Sequence, residues 1–253
     1  MEHQSDFDLH VNVRLARQRR GITLIKVVVC VGIIGLLIAL LLPFTRSARG
    51  PARRNMCVNQ LKQIAIGLQH YNDVYKSFPP AYTVDAEGKP LHSWRTLILP
   101  FLEEQSLYKS IDLSKAWDDP ANAKAYGAMN LAYFCPEADI PASHTTYLAV
   151  VTPNGCFGLA EPRRLSEITD GHSKTLMVIE APTDKSVHWM CPMDADEQVL
   201  MDFGPNAKLA HSGRVTCALF VDGHVATFTS DLPAAQLRAM ISIAGNDEVT
   251  TEY

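Results

Sequence analysis

The longest apolar run of the sequence is ITLIKVVVCVGIIGLLIALLL, residues 22–42. It holds 21 residues and a single charge, that of Lys26. A helix of this length reaches roughly 30 Å, which is the thickness of the hydrocarbon core of a bilayer. Because no polar face interrupts the run, a helix packed inside a soluble domain is not expected. The stretch therefore predicts a transmembrane helix over residues 22–42.

A secretory signal peptide is the main alternative for the same stretch. Signal cores hold about 7 to 15 apolar residues and end at a small-x-small cleavage site. This run is longer, and the sequence after it, PFTRSARG at residues 43–50, carries no such site. Lys26 lies near one end of the run, where its aliphatic stem lets the ammonium group reach the interface. We therefore expect the helix to be retained.

The front edge of the run, GITLIK at residues 21–26, resembles the processing site of type IV prepilins and pseudopilins. In that family a prepilin peptidase cuts a short basic leader after a glycine, on the cytoplasmic side, and the new amino-terminus is methylated. The resemblance implies a cytoplasmic leader over residues 1–21, cleavage between Gly21 and Ile22, and export of the remainder. Lys26 departs from the pattern, because the family has a glutamate there that is held to neutralise the amino-terminus of a neighbouring subunit. A lysine adds positive charge without a partner in hydrocarbon, which disfavours filament assembly.

Residues 43–76 predict an amphipathic continuation of the helix. Apolar side chains recur there at spacings of three and four, as on one face of a helix. The members of this stripe are Cys57, Leu61, Ile64, Leu68, Tyr71 and Tyr75. Pro79 and Pro80 follow, and proline cannot continue a helix.

Residues 77–253 predict one exported domain that mixes helix and strand. Its clearest element is a pair of strand-like runs joined by Asp222-Gly223, which is a strong hairpin signal. The expected fold class is α+β and pilin- or pseudopilin-like, with a long N-terminal transmembrane helix packed on a largely antiparallel β domain.

Further landmarks resemble a large planctomycete family of prepilin-like proteins with a domain of unknown function, which is also catalogued under a solute-binding label. Its members end in a processing-associated signature of His, about nine residues, then Asp-Gly. Here His211, Asp222 and Gly223 match that signature, with ten residues between His211 and Asp222. Other matching landmarks are Cys57 before NQLKQI (residues 59–64), FPP (78–80), SWR (93–95), FLE (101–103), FCP (134–136) and ITDG (168–171).

Charge and cysteine content limit the possible partners. Residues 1–54 hold nine Lys/Arg against three Asp/Glu, and the remainder holds 14 against 24. The exported part is therefore acidic, and no nucleic-acid partner is expected. Five of the six cysteines follow the apolar run and would lie in an oxidising compartment. The candidate disulfide pair is Cys57 with Cys135, although connectivity cannot be read from sequence alone.

The sequence predicts no catalytic residue, no cofactor and no metal ligand. His211, Ser212 and Asp222 could be imagined as a triad, but the hairpin already explains Asp222, and no G-x-S-x-G motif is present. The histidines lack H-x-x-x-H or H-E-x-x-H spacing. The best acidic cluster for calcium is Asp194, Asp196, Glu197 and Asp202, which does not fit an EF-hand loop.

These patterns predict a non-enzymatic, single-pass protein of the inner membrane whose C-terminal domain is periplasmic or at the cell surface. The leading expectation is a pseudopilin-like structural component of a secretion or surface-filament system. Its partners would be prepilin peptidase, pilin-like subunits or secretion machinery, and membrane lipid. The alternative is a tethered module that binds a solute or a protein and uses the prepilin signal only for export and anchoring. A third hypothesis, an anchored hydrolase, needs a nucleophile and a base that the sequence does not reveal.

Overall fold

The computed structural model describes residues 24–245 except 48, 205, 212 and 231, and it describes no side chains from 40 to 49. The predicted leader (1–21) and the residues Gly21 and Ile22 lie outside the described part. The chain divides into two compact units, Met1–Ser47 and Ala48–Tyr253. Each unit is described by itself.

Seven α-helices and eight β-strands are present in the described part of the chain. The helices are α1 (Leu24–Ser47), α2 (Arg49–Tyr75), α3 (Trp94–Leu97), α4 (Gln105–Tyr108), α5 (Ala123–Tyr126), α6 (Glu197–Met201) and α7 (Ala234–Ile241). The strands are β1 (Tyr82–Val84), β2 (Pro90–Ser93), β3 (His144–Thr145), β4 (Tyr147–Ala149), β5 (Leu176–Glu180), β6 (Val187–His188), β7 (Val215–Phe220) and β8 (Val225–Thr229). Short 3-10 turns connect several of them.

Helix α1 presents apolar side chains on every side. All of its described side chains, from Leu24 to Ala39, are exposed within the unit, with Leu24 at 80% and Val31 at 63%. A search of the described residues finds no helix that is both long enough and apolar enough to cross a membrane. Parts of the predicted span fall outside that description, namely residues 22 and 23 and the side chains of residues 40–42.

Helix α2 opens the second unit and buries the predicted stripe. Cys57, Leu61, Ile64 and Leu68 have no exposed surface, and Tyr71 is half-buried at the end of the stripe. Tyr75, the last member, is 59% exposed. The helix ends where Lys76 adopts a positive φ, three residues before Pro79. Five of the six members of the predicted stripe are therefore buried or half-buried on α2, and Tyr75 lies outside the core.

The main sheet has four antiparallel strands in the order β4-β5-β7-β8. Successive residues of β4 and β7 alternate between its two faces, as the two-residue period of a strand requires. Ala149 and Leu219 pack in the core that α2 shares, whereas Leu148 and Phe220 pack in a second core with α6 and α7. The sheet is thus covered by helices on both faces.

The late hairpin is confirmed in its predicted place. Strands β7 and β8 pair from Val215 with Thr229 to Leu219 with Val225. Gly223 adopts φ +91° at the turn, which favours glycine. Two smaller antiparallel pairs, β1 with β2 and β3 with β6, complete the strands described. Helices and antiparallel strands together place this unit in the α+β class.

Candidate functional site

A buried group of sulfur, imidazole and carboxylate side chains lies where α2 meets the main sheet. Cys57 comes from α2, Cys135 follows the 3-10 turn at Leu131–Tyr133, and Glu180 ends β5. His211 lies just before β7 and forms an isolated antiparallel backbone bridge with Val215, the first residue of that strand. One ligand atom from each of these four residues lies within 4.8 Å of the other three, and all four residues are buried. We call these four residues the Cys-Glu-His cluster.

His211 is held between two carboxylates. Its Nδ1 lies 2.5 Å from Glu137 Oε2, and its Nε2 lies 2.7 Å from Glu180 Oε2. The His211 side chain has no exposed surface, and that of Glu180 is 2% exposed. The hydroxyl of Thr216 donates to the backbone carbonyl of Glu180 at 2.5 Å, which anchors the end of β5. The imidazole is therefore oriented by its hydrogen bond with Glu137, and its other nitrogen faces Glu180 at ion-pair distance.

The pKa values of His211, Cys135 and Cys217 are raised above their ordinary values. Burial by itself would lower the pKa of His211, but hydrogen bonds with Cys217, Glu180 and Glu137 together raise it to about 11. These hydrogen bonds therefore favour the protonated imidazole, against the effect of burial. The hydrogen bond with Cys57, followed by burial, raises the pKa of the Cys135 thiol. Burial also raises the pKa of Cys217, whose sulfur lies 3.7 Å from His211 Nε2.

The two cysteines of the cluster meet directly. Cys57 Sγ and Cys135 Sγ lie 2.9 Å apart, and both cysteines are free thiols in the structure. The predicted disulfide between them stays a prediction. Tyr147 lies beside the pair and donates its hydroxyl proton to Gln60 Oε1 at 2.9 Å. Burial, and next the charge of Glu180, raise the pKa of that phenol.

A second buried charge pair lies in the same unit. Arg95 Nη1 contacts Asp194 Oδ1 at 2.6 Å, and their side chains are 0% and 3% exposed. The same guanidinium donates to the backbone carbonyls of Trp189, Cys191, Met193 and Tyr147. Asp194 also accepts from Trp94 Nε1 at 3.0 Å and from the Ala149 N–H at 2.8 Å. This arrangement links α3, β4 and the segment 189–194, and it gives the SWR landmark a structural role.

The structure separates the members of the signature predicted from sequence. His211 lies in the buried cluster, whereas Asp222 and Gly223 form the hairpin turn. Asp222 Oδ1 lies 2.6 Å from His224 Nδ1, so the partner of Asp222 is a neighbouring residue of the same hairpin turn. The structure does not support a triad of His211, Ser212 and Asp222, because the carboxylates that contact His211 are those of Glu137 and Glu180. Ser212 lies outside the described residues.

The predicted processing site is only partly described. Gly21 and Ile22 lie outside the described residues, and Lys26 lies on α1 with its side chain exposed. The structure therefore gives the cleavage site no geometry, and cleavage stays a prediction.

The acidic residues considered for calcium each have another partner. Asp194 binds Arg95, Asp196 caps α6 by accepting from the Val199 N–H, and Asp202 pairs with Lys185 at 2.8 Å. Glu197 lies 3.5 Å from Arg238. The four carboxylates do not converge on one point.

Sequence reasoning missed Glu137 and Glu180. Neither belongs to a recognisable motif, and 43 residues separate them. Glu137 lies two residues after Cys135, and Glu180 closes a fully buried strand. A carboxylate at the end of an apolar strand was the one local signal that could have marked Glu180, because Glu is rarely buried without a partner.

Fold and site together define an α+β protein in which a helix, an antiparallel sheet and a buried Cys-Glu-His cluster meet. Residues 46–146 match the model of a family described as a protein of unknown function (DUF1559), whose short name, SBP_bac_10, carries a solute-binding label. The match supports the predicted domain of unknown function, and it includes Cys57 and Cys135 but ends before Glu180 and His211. Neither a curated protein nor a solved structure matches the chain.

Proposed function

We propose that this chain is a prepilin-type envelope protein, tethered to the inner membrane by α1, which holds a non-enzymatic α+β domain in the periplasm or at the cell surface. The role that fits best is a pseudopilin-like structural component of a secretion or surface-filament system. Prepilin peptidase, pilin-like subunits or secretion machinery, and membrane lipid are its proposed partners.

The observation that carries the proposal is the exposure of α1. Its described apolar side chains are exposed by between 48% (Val27) and 80% (Leu24). A contiguous apolar surface of this kind is rare on a soluble monomer and calls for lipid or other subunits to cover it. The sequence extends the apolar run to residues 22–42, which is the length of a bilayer-spanning helix. Lipid around the span is therefore the proposed environment.

The arrangement of the second unit supports a structural role. Helix α2 packs one face on the antiparallel sheet, and this packing is compatible with the proposed pilin-like role. The buried His211 has no exposed side-chain surface and is occupied by two carboxylates, so a substrate cannot reach it. This argues against His211 as the general base of an anchored hydrolase.

The proposal is tested at the leader. We expect Gly21→Ala to block cleavage in cells that contain a prepilin peptidase, so that the chain keeps its leader and migrates more slowly on a gel. Gly32→Ala is the matched control, because a Cβ added at Gly32 meets no atom within 4 Å. Equal migration of wild type, Gly21→Ala and Gly32→Ala would contradict the proposal.

The tethered binding module is the second candidate, and Lys26 favours it. A lysine in place of the family's glutamate opposes close packing of neighbouring amino-termini. The solute-binding label of the matching family is compatible with this candidate. If Lys26→Glu moves the protein from membranes into sheared surface filaments while Lys62→Glu, on the exposed side of α2, does not, the native chain is the binding module. If the wild type already shears off as filaments, the pseudopilin role stands.

A further inference from the structure

We propose that the Cys-Glu-His cluster, Cys57, Cys135, Glu180 and His211, binds a structural zinc ion. No spacing motif in the sequence predicts this site, because its members come from four separate elements. The proposal goes beyond the proposed function and does not depend on how the chain is anchored. Three observations support it: the convergence of four buried ligand atoms, the chemical types of those ligands, and the contact of the Glu137 carboxylate with His211 Nδ1.

The geometry of the cluster is close to that of a four-coordinate zinc site. In such sites Zn–S is about 2.3 Å, and Zn–N and Zn–O are about 2.0–2.2 Å, so tetrahedral ligand atoms lie roughly 3.3–3.8 Å apart. The four donor atoms here already lie within 4.8 Å of one another. The closest pairs, Cys57 with Cys135 at 2.9 Å and Glu180 with His211 at 2.7 Å, would open by about 1 Å or less to admit the ion.

The donor set suits zinc better than a hard cation. Two thiolates and an imidazole are borderline or soft ligands, which magnesium and calcium do not favour. Binding would displace the two thiol protons and the proton on His211 Nε2, and no oxidant or reductant is needed. Four protein ligands leave no open coordination position, which is typical of structural rather than catalytic zinc.

Glu137 gives the independent geometric argument. Metal-bound histidines usually donate their second ring N–H to a carboxylate, which orients the ring. Glu137 Oε2 lies 2.5 Å from His211 Nδ1, and the opposite nitrogen, Nε2, points toward Glu180 and the sulfurs. This is the outer-shell arrangement expected around a zinc-binding imidazole.

A zinc ion at this point would join elements of the domain that are distant in sequence. Cys57 lies on α2, Glu180 on β5, and His211 just before β7. Because all four residues are buried, metal binding and folding would be coupled, and chelation would loosen α2 from the sheet. A disulfide between Cys57 and Cys135 uses the same sulfurs and is therefore the direct competitor of the metal.

The first experiment measures the metal in the native protein. The native protein is purified without chelators from whichever cell fraction holds it, its metal content is determined by mass spectrometry, and its free thiols are mapped by alkylation. We expect one zinc ion per chain and protection of Cys57 and Cys135 until a chelator is added. A Cys57–Cys135 disulfide in the isolated protein would overturn the proposal. So would reduced thiols with no zinc, if added zinc also fails to bind.

The second experiment locates the ion with matched variants. Cys135→Ser and Glu180→Gln should lose the zinc, whereas Cys156→Ser, which changes another buried free cysteine outside the cluster, should keep it. Glu137→Gln should weaken zinc binding by about 10–100-fold. Glu167→Gln, which changes an exposed carboxylate paired with Arg163, should leave it unchanged.

Retention of zinc in the ligand variants at wild-type affinity would place the ion elsewhere and overturn the assignment. The wild-type measurement decides the proposal even where a ligand variant fails to fold.

Discussion

Removal of Arg95 from its buried pair gives the sharpest test of how this domain is held together. The change is Arg95→Met, which keeps most of the side-chain length and removes the charge. It leaves Asp194, whose side chain is 3% exposed, without its cation, and it leaves the carbonyls of Trp189, Cys191 and Met193 without their donor. Burial already raises the pKa of Asp194, and the charge of Arg95 opposes that rise. Without Arg95 the carboxyl group must either stay buried and charged or take up a proton.

The expected cost follows from that loss. Removing one partner of a buried ion pair destabilises a protein by about 3–5 kcal/mol. Trp94 and Ala149 still donate to Asp194, so we expect a loss near the lower end, about 3 kcal/mol. A domain of this size has a free energy of unfolding of about 5–15 kcal/mol, so the variant would fold with much reduced stability. Adding Asp194→Asn to Arg95→Met should cost less than the sum of the two single changes.

The assay is urea unfolding of the full chain in detergent, followed by the fluorescence of the buried Trp94 and Trp189, which lie beside Arg95. Arg163→Met is the control, because Arg163 pairs with Glu167 at 3.3 Å with side chains 20% and 45% exposed. Such an exposed pair contributes about 0–1 kcal/mol. A loss for Arg95→Met no larger than that for Arg163→Met would refute the structural role of the buried pair.

Two further predictions concern the core and its pH dependence. Leu61→Ala changes a fully buried position on α2 and should lower the free energy of unfolding by about 2–5 kcal/mol. Ile66 is 43% exposed on the same helix, so Ile66→Ala should lower it by about 1 kcal/mol or less. Urea unfolding compares the two variants, and equal losses would contradict the packing of α2. Burial lowers the pKa of His92 in the folded protein below its ordinary value. As the pH falls, His92 therefore takes up a proton in the unfolded chain before it does so in the folded one. The free energy of unfolding should decrease below about pH 6.5, by at most about 1.4 kcal/mol per pH unit. Unfolding at pH 7 and pH 5 should show a smaller loss of stability in His92→Gln than in wild type. An unchanged pH dependence in His92→Gln would contradict the assignment.

Elements set by local chemistry were predictable from the sequence. The hairpin at Asp222-Gly223 follows from a turn that needs positive φ between two apolar runs. The buried stripe of α2 follows from the helical spacing of its apolar residues. Tyr75 lies outside the core because the chain turns at Lys76, immediately after it. In both cases the signal lies within a few neighbouring residues.

The buried charged groups were not predictable, because their partners are distant in sequence. Arg95 and Asp194 are 99 residues apart, and His211 and Glu137 are 74 residues apart. Sequence spacing groups Asp194 with Asp196, Glu197 and Asp202 as a candidate calcium cluster, yet Asp194 is buried against Arg95, because a carboxylate finds its partner in space and not along the chain. The signature residues His211 and Asp222 likewise belong to different sites.

The central claim is that a prepilin-type leader is removed and that the apolar helix keeps the folded domain at the membrane. The most direct measurement is the amino-terminal residue and intact mass of the protein isolated from membranes. We expect a chain that starts at Ile22, carries a methylated amino-terminus and stays in the membrane fraction. A chain that still starts at Met1 and is found in the soluble fraction would contradict it.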